Sequence, residues 1–376
     1  MPKKNTIDHF KDSRKYLKLF KIIFGVSVFT PECENGKINS KFNLLGFMTF
    51  VIWGSVYYYS LYAVINEDHT VLRKLYDTRL KHYGDAFEVL TTMALVVYGT
   101  WKAPFDLSGN PKCVQCIVDI DKAIEELGEN LNFKRDLNKF LMLPLLEIAI
   151  TITRVISTYN LNLNSTISIT KMIQMLASDY MAFLLTAHFC FFLYILQIRY
   201  EIISKVLENI QKKESREFVI IRVQKHINNG IHPQDIYLCD KLKKCGKICS
   251  MLHNASVVIN KKFGFAIVCT MGICLALVVL YLYYFMEATA SGLFHDPKRY
   301  INFMVYVLWV IIYALFLIFL SIYFCERAIE AAKKIADRAH DIINSNMDLS
   351  VSREGTKSVV TFLVIMLQFV TDNHSN

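Results

Sequence analysis

The chain has 376 residues, of which 53% are hydrophobic and 13% aromatic, and its mean hydropathy is +0.31. The apolar residues fall into long runs, so this composition excludes an ordinary soluble protein of this size and indicates a polytopic membrane protein. The net charge of +9 is concentrated in two segments beside predicted spans. The charge therefore indicates membrane orientation and gives no reason to expect a nucleic-acid partner.

Residues 1–41 carry nine Lys and Arg residues against four Asp and Glu residues, and they contain no recognisable secretory signal peptide. Seven apolar runs follow, at roughly 42–65, 83–101, 140–158, 169–198, 263–286, 301–324 and 359–370. The segment 199–262 has thirteen basic residues against six acidic ones. The positive-inside rule places both basic segments in the cytosol. The sequence thus predicts an all-α protein of seven transmembrane helices, with a cytosolic N-terminus and an extracellular C-terminus.

The same spans predict the domain organisation. Spans one to four lie within 42–198 and spans five and six within 263–324. The remaining segments are a cytosolic N-terminal segment at 1–41, a basic helical loop at 199–262, a cytosolic helix and connector at 325–358, the short seventh span at 359–370 and an extracellular tail at 371–376. We expect the first span to serve as the insertion signal.

Three predicted cytosolic segments carry apolar residues at helical spacing, which predicts amphipathic helices. The stripes are Val114, Ile117, Val118, Ile124, Leu127 and Leu131; Leu238, Leu242, Cys245, Cys249 and Leu252; and Ile329, Ala332, Ala336, Ala339 and Ile343. The simplest prediction is that the stripes pack against one another in a cytosolic anchor domain. The alternative is a set of independent interfacial helices.

Two short motifs have limited chemical meaning. Cys113-x-x-Cys116 could form half of a zinc site, but no second pair follows at zinc spacing, so we expect neither a metal nor a cofactor. The sequon that begins at Asn164 lies in a predicted external loop, which makes Asn164 a glycosylation candidate.

Polar and aromatic residues gather in the predicted outer halves of spans three to six. The candidate ligand contacts are Glu147, Thr151, Arg154, Asp179, Tyr180, Tyr281, Tyr284, Tyr306 and Trp309. Ionisable side chains within a span usually face the bundle interior, where they are paired or functional. Arg154 with either Asp179 or Glu147 is the predicted ion pair, and a purely structural salt bridge is the alternative. Aromatic residues with polar tips suit a semi-polar organic ligand.

The C-terminal apolar segment contains a single amide, that of Gln368. Ile365 shares its helical face, because the two residues are three positions apart. An amide cannot face lipid without losing its hydrogen bonds to water, so Gln368 should face protein or a water-filled path. The alternative is an apolar anchor that tolerates one glutamine.

This segment, Thr361-Phe-Leu-Val-Ile-Met-Leu-Gln-Phe369, resembles the C-terminal signature of insect gustatory receptors. That signature is a threonine-tyrosine pair, five apolar residues and a glutamine-phenylalanine pair, and here Phe362 replaces the tyrosine. The chain length, the inverted seven-span orientation and the basic loop before span five agree with the family. The passage before the motif is shorter than is usual in the family, and the seventh run of twelve residues reaches only about 18 Å as a helix. The resemblance is therefore to a divergent or partly shortened member.

The resemblance implies a tetrameric ligand-gated cation channel in the plasma membrane of a sensory neuron, homomeric or heteromeric with related receptors. Ile365 would form a hydrophobic constriction and Gln368 a polar ring beside it. The implied ligand is a small organic tastant, a bitter compound rather than a sugar.

Other classes agree less well with the sequence. An odorant-receptor-type channel is the nearest alternative. A G-protein-coupled receptor conflicts with the predicted orientation, and a transporter lacks support from internal repeats. No nucleophile or metal motif indicates an enzyme.

Overall fold

The computed structural model describes residues 27–34, 37–66, 79–98, 109–129, 133–162, 169–224, 233–290 and 297–346, and single residues at positions 19, 22, 25, 105 and 131. The strands in these ranges are β1 (Phe29–Glu34) and β2 (Lys37–Phe42). The helices are α1 (Leu44–Asn66), α2 (Arg79–Val97), α3 (Gly109–Glu126), α4 (Phe133–Asn162), α5 (Ile169–Gln224), α6 (Pro233–Ala290) and α7 (Pro297–Asn346).

The hairpin of β1 and β2 is a feature that the all-α prediction missed. The strands are antiparallel, with Phe29 opposite Phe42. The two phenyl rings meet edge to face at 5.8 Å, and Lys41 Nζ lies 3.1 Å from Glu32 Oε2. Such cross-strand pairs stabilise a hairpin, but they form only in one register, which the sequence does not reveal. The first helix accordingly begins at Leu44, after the predicted start at Phe42.

Six of the seven predicted spans coincide with helices. Four helical stretches of the described residues are long and apolar enough to cross a membrane: Leu44–Asn66, Ile169–Lys212, Asp240–Ala290 and Tyr300–Ile342. They contain the first, fourth, fifth and sixth predicted runs. The second and third runs form α2 and α4. Within α2, Ala86–Leu95 is a shorter apolar stretch. The seventh run, 359–370, lies outside the described residues.

The chain divides into two compact units. The first contains the described residues within Met1–Gln115, Asn132–Phe191 and Ile259–Ile322. One of its buried clusters joins α5, α6 and α7 and consists of Met175, Tyr281, Tyr284, Ala288, Phe303, Tyr306, Val307 and Val310. A second cluster packs Tyr57 of α1 against Ala177, Tyr180, Met181 and Leu184 of α5. These contacts pack Tyr180, Tyr281, Tyr284 and Tyr306, four of the candidate ligand residues, between helices of this unit.

The second unit contains the described residues within Cys116–Leu131, Phe192–Val258 and Tyr323–Asn376. These ranges hold most of the residues of the three predicted amphipathic stripes. The stripe of α3 is buried at Ile117, Val118 and Ile124, and that of α6 at Cys249 and Leu252. Both stripes are therefore confirmed as core faces.

The predicted stripe of α7 is confirmed at Ala339, but its other four residues each lie one position after a residue that is buried. Ile329, predicted to be buried, is 55% exposed, whereas Ile335 is 1% exposed. The buried face is formed by Ala328, Ala331, Ile335, Ala339 and Ile342. One residue corresponds to about 100° of rotation on a helix of 3.6 residues per turn. Two adjacent apolar stripes exist in this sequence, and helical periodicity alone does not choose between them.

Candidate ligand site

Over residues 145–160 of α4, the charged side chains are buried and most of the apolar side chains are exposed. Glu147 and Arg154 are 3% and 4% exposed, whereas Leu145 is 61% and Ile152 54% exposed. Ser157 and Thr158 continue the buried face one turn further along the helix. Residues that share this face lie three, four or seven positions apart, as helical geometry requires.

Arg154 lies at the centre of a group of buried polar and aromatic side chains from several helices. Its Nε lies 3.2 Å from Oδ2 of Asp179 on α5. Its guanidinium carbon lies 4.9 Å from the ring centre of Tyr306 and 4.5 Å from that of Trp309, both on α7. A planar guanidinium stacks on aromatic faces while it pairs with a carboxylate, which a lysine does less well. The structure therefore selects Asp179 as the ion-pair partner that the sequence left open.

Tyr281 of α6 connects this cluster to α2. Its hydroxyl donates to Oε2 of Glu88 at 3.3 Å and lies 3.4 Å from the hydroxyl of Tyr306. The ring of Tyr284 meets that of Tyr281 edge to face at 5.6 Å. Both Tyr281 and Tyr284 are buried. Four helices, α2, α4, α6 and α7, thus meet α5 around one polar centre.

Glu147 of α4 and Tyr180 of α5 are both buried, at 3% and 7% exposure. Tyr180 packs in the cluster of α1 and α5 and away from the tyrosines of α6. Thr151 is half-buried on the face of α4 that carries Glu147 and Arg154. The nine predicted residues thus lie in one compact unit, and the tyrosines among them pack in two different clusters.

Tyr313 is a participant that the sequence interpretation missed. Its hydroxyl donates to the backbone oxygen of Asp179 at 2.6 Å, and its ring stacks on Trp309 at 5.2 Å. The indole Nε1 of Trp309 in turn donates to Oγ1 of Thr153 at 2.9 Å. Tyr306, Trp309 and Tyr313 follow at intervals of three and four, so helical spacing was a signal that could have identified Tyr313. Glu88 was likewise visible as an ionisable residue in a predicted span.

Several buried polar atoms of this unit have unused hydrogen-bonding capacity. Among the described residues, no hydrogen-bond partner is present for Oε2 of Glu147, Nη1 of Arg154, Oγ of Ser157 or either amide atom of Gln174. Buried polar groups without partners are uncommon, because each costs about 1–3 kcal/mol. A site of this composition can accept a polar group from a ligand or from water.

The other predicted functional residues cannot be placed. The pore residues Ile365 and Gln368, the motif residues Thr361, Phe362 and Phe369, and the sequon residue Asn164 lie outside the described residues.

The apolar helices and the buried polar centre define a helical membrane protein. A sequence model of the 7tm Chemosensory receptor family matches residues 14–357, and the chain belongs to this family. The family match confirms the chemoreceptor class inferred from the resemblance to insect gustatory receptors. The match supports a receptor role for the chain. A search of the curated proteins finds no match.

Proposed function

We propose that this chain is a gustatory-type chemoreceptor that acts as a tetrameric, ligand-gated, non-selective cation channel. A small organic tastant, a bitter compound rather than a sugar, binds among α4, α5, α6 and α7 and opens the pore. The receptor lies in the plasma membrane of a sensory neuron. Membership of the chemosensory family and the geometry around Arg154 support this proposal.

The inverted polarity of α4 carries the proposal. In water, a helix that exposed Leu145, Ile148, Ile152 and Ile156 while it buried Glu147 and Arg154 would be strongly disfavoured. In a bilayer the apolar face meets lipid, and the ionisable residues face the bundle interior. An ionisable residue within the membrane costs free energy, so its presence there indicates a functional site by default.

The proposal includes seven spans with a cytosolic N-terminus. Helices α2 and α4 supply the second and third spans, and the second compact unit is the cytosolic anchor domain. The anchor assignment rests on the buried stripes of α3 and α6. The orientation rests on the basic residues of 1–41 and 199–262. Glycosylation of Asn164, which lies in a predicted external loop, would give direct evidence for this membrane orientation.

The pore is assigned from the C-terminal motif. Ile365 closes the pore as a hydrophobic ring, and Gln368 lines it as a neutral amide ring that passes cations with little selectivity. Replacing both residues should change the current–voltage relation or the leak current of cells that express the chain. Unchanged currents in the double variant I365A/Q368A would contradict the pore assignment.

The ligand site is tested by calcium imaging of cells that express the chain against a panel of tastants and volatile odorants. Arg154→Gln and Asp179→Asn should each abolish the response, because either change leaves a buried charge without its partner. Glu330→Gln is the matched control, since Glu330 is an exposed carboxylate in the second unit. Responses that persist in both site variants at normal surface expression would exclude this cluster as the ligand site.

The panel also separates taste from smell. Activation by volatile odorants alone would favour the odorant-receptor-type alternative. Labelling of an N-terminal tag on intact cells would overturn the orientation.

A further inference from the structure

Five phenylalanine rings form a closed circuit of contacts between the hairpin and the start of α1. Neighbouring rings in this circuit have their centres between 5.2 and 6.5 Å apart. The rings are those of Phe29 and Phe42 in the hairpin, Phe47 and Phe50 in α1, and Phe105, which follows α2. We refer to these five residues as the phenylalanine cluster. Its contacts hold both strands against the first two turns of α1.

The phenylalanine cluster is not a buried core. Phe42 is 51% exposed, and Phe47 and Phe105 are each 39% exposed. Phe29 and Phe50 are half-buried. Contiguous apolar surface of this kind is costly in water, and it marks a site that meets an apolar partner such as another protein or a membrane.

The register of the hairpin separates an apolar face from a polar one. Residues directly opposite each other in an antiparallel pair point to the same side of the sheet, and successive residues of a strand alternate. Phe29 lies opposite Phe42, so both belong to the face that carries the phenylalanine cluster. The other face carries the exposed residues Lys37, Asn39 and Lys41 of β2. The hairpin therefore presents phenyl rings on one side and polar side chains on the other.

Backbone contacts with α1 fix the direction in which the phenylalanine cluster points. The backbone nitrogen of Asn43 donates to the backbone oxygen of Val28 at 2.9 Å. Gly46 approaches the chain before β1 so closely that a Cβ atom would lie 2.2 Å from the backbone oxygen of Ser27. The hairpin cannot turn the phenylalanine cluster away from the surface of α1 without breaking these contacts.

The first turns of α1 continue the same apolar surface. α1 is long and apolar enough to cross a membrane, and it begins at Leu44, two residues after Phe42. The exposed apolar side chains of these turns are those of Leu44, Leu45, Met48, Val51 and Ile52. A helix that spans a bilayer meets acyl chains with its exposed apolar side chains. The phenylalanine cluster thus lies directly beside a surface that lipid covers.

We propose that the β1–β2 hairpin inserts into the bilayer at the end where α1 begins, and that the phenylalanine cluster binds phospholipid acyl chains. None of its five rings has a polar tip, so they suit the acyl region better than the headgroup layer, where Tyr and Trp are enriched. The polar face of Lys37, Asn39 and Lys41 then meets headgroups and water. Assigning the cytosolic leaflet rests on the proposed orientation, whereas the contact with acyl chains does not.

The test uses the full-length protein in phosphatidylcholine nanodiscs. Phe42 or Asn39 is replaced by the photoreactive amino acid p-benzoylphenylalanine, and the illuminated protein is weighed by mass spectrometry. Both positions are exposed, but they lie on opposite faces of the same strand, so each variant is the control for the other. The variant at position 42 should gain the mass of one phosphatidylcholine about fivefold more often, because the probe reacts only with groups in contact with it.

Three outcomes would overturn the proposal. Equal yields of lipid adduct at the two positions would show that the hairpin has no lipid-facing side. A covalent dimer formed from position 42 without a lipid adduct would assign the phenylalanine cluster to a second copy of the chain. Cross-links from position 42 only to its own chain would show that another segment covers it. The test needs neither a tastant nor an ion current, so its failure leaves the proposed receptor function standing.

A milder pair of substitutions covers the case in which these variants do not fold. Phe42→Trp and Asn39→Trp place an indole on either face of the hairpin, and the wild type supplies the fluorescence of the three native tryptophans. In nanodiscs with brominated acyl chains, the fluorescence that F42W adds to that of the wild type should fall to about half or less, because bromine quenches on contact. The fluorescence that N39W adds should stay unchanged. Equal quenching of both indoles, or of neither, would contradict the proposal.

Discussion

Arg199 and Asp121 form a buried, two-pronged ion pair in the second compact unit. Nε of Arg199 donates to Oδ1 of Asp121 at 2.9 Å, and Nη2 donates to Oδ2 at 3.0 Å. The side chains are 3% and 0% exposed. The remaining Nη1 donates to the backbone oxygen of Ile195 at 3.3 Å. The pair joins the amphipathic helix α3 to α5 in a fixed orientation, because a guanidinium matches a carboxylate in one plane.

The first prediction concerns this ion pair. Asp121→Ala should destabilise the protein by about 3–5 kcal/mol, because it leaves a buried guanidinium without its counter-charge. The melting temperature of the purified protein in detergent measures the loss. Glu330→Gln removes an exposed carboxylate that pairs with Lys334, and it should leave the melting temperature close to that of the wild type.

The double variant D121L/R199M serves as the second control. It removes both charges and should recover most of the lost stability. If D121A melts like the wild type, the pair does not hold α3 against α5.

The second prediction tests which face of α7 is buried. Ile335→Ala should cost about 2–5 kcal/mol, because the side chain is 1% exposed and its truncation leaves a cavity. Ile329→Ala, a chemically identical change at a residue that is 55% exposed, should have a much smaller effect. Melting temperatures compare the two variants directly. A greater loss of stability in Ile329→Ala than in Ile335→Ala would show that the stripe predicted from the sequence is the buried one.

The third prediction concerns two glycines of α1. A Cβ atom at Gly46 would lie 2.2 Å from the backbone oxygen of Ser27, whereas one at Gly54 would meet no atom within 4 Å. Gly46→Ala should therefore force the chain before β1 away from α1, at a cost of about 1–3 kcal/mol. Gly54→Ala should be neutral or stabilising by up to about 1 kcal/mol, because alanine favours the helix.

The comparison of the two glycines has a clear readout. Surface expression and melting temperature should fall for G46A and not for G54A. Equal behaviour of the two variants would contradict the close contact between α1 and Ser27.

The fourth prediction concerns the thiols of α3. Burial, and then the negative charge of Asp119, raise the pKa of Cys116 above its ordinary value. Its reaction with maleimide should therefore be slow at neutral pH and should accelerate with pH beyond the range of an ordinary thiol. Asp119→Asn should increase the rate, because it lowers the pKa and raises the thiolate fraction.

Matched positions on α3 provide the controls for labelling. A cysteine at the exposed position 112, introduced as K112C, should react rapidly, whereas the buried Cys113 should react only after denaturation. If D119N does not react faster than the wild type, Asp119 does not control this thiol.

Much of the secondary structure could be predicted from the sequence, because long apolar runs and periodic stripes depend on local order alone. The hairpin could not be predicted in this way. Its stability depends on the pairing of Phe29 with Phe42 and on the bond from the backbone nitrogen of Ile38 to Oε1 of Gln115, which lies 77 positions away. Contacts at that separation leave no local pattern.

The candidate site was predicted only in part. Each polar residue within an apolar run is visible in the sequence, and so Arg154, Asp179 and Glu147 were found. The sequence did not identify Gln174 and Ser157 as site residues. Amides and hydroxyls are less costly in a span than charges, so they are weaker indicators of a functional site. Tyr313 was missed because its role depends on a backbone oxygen of another helix.

The sequence by itself determined the membrane class, the helical runs, the charge bias and the family signature, since these are properties of composition and spacing. Only the tertiary structure decided that Arg154 pairs with Asp179, that α4 buries its polar face and that α7 presents Ile335 to the core. Periodicity establishes which residues share a face of a helix. Which neighbour that face meets depends on the packing of distant segments.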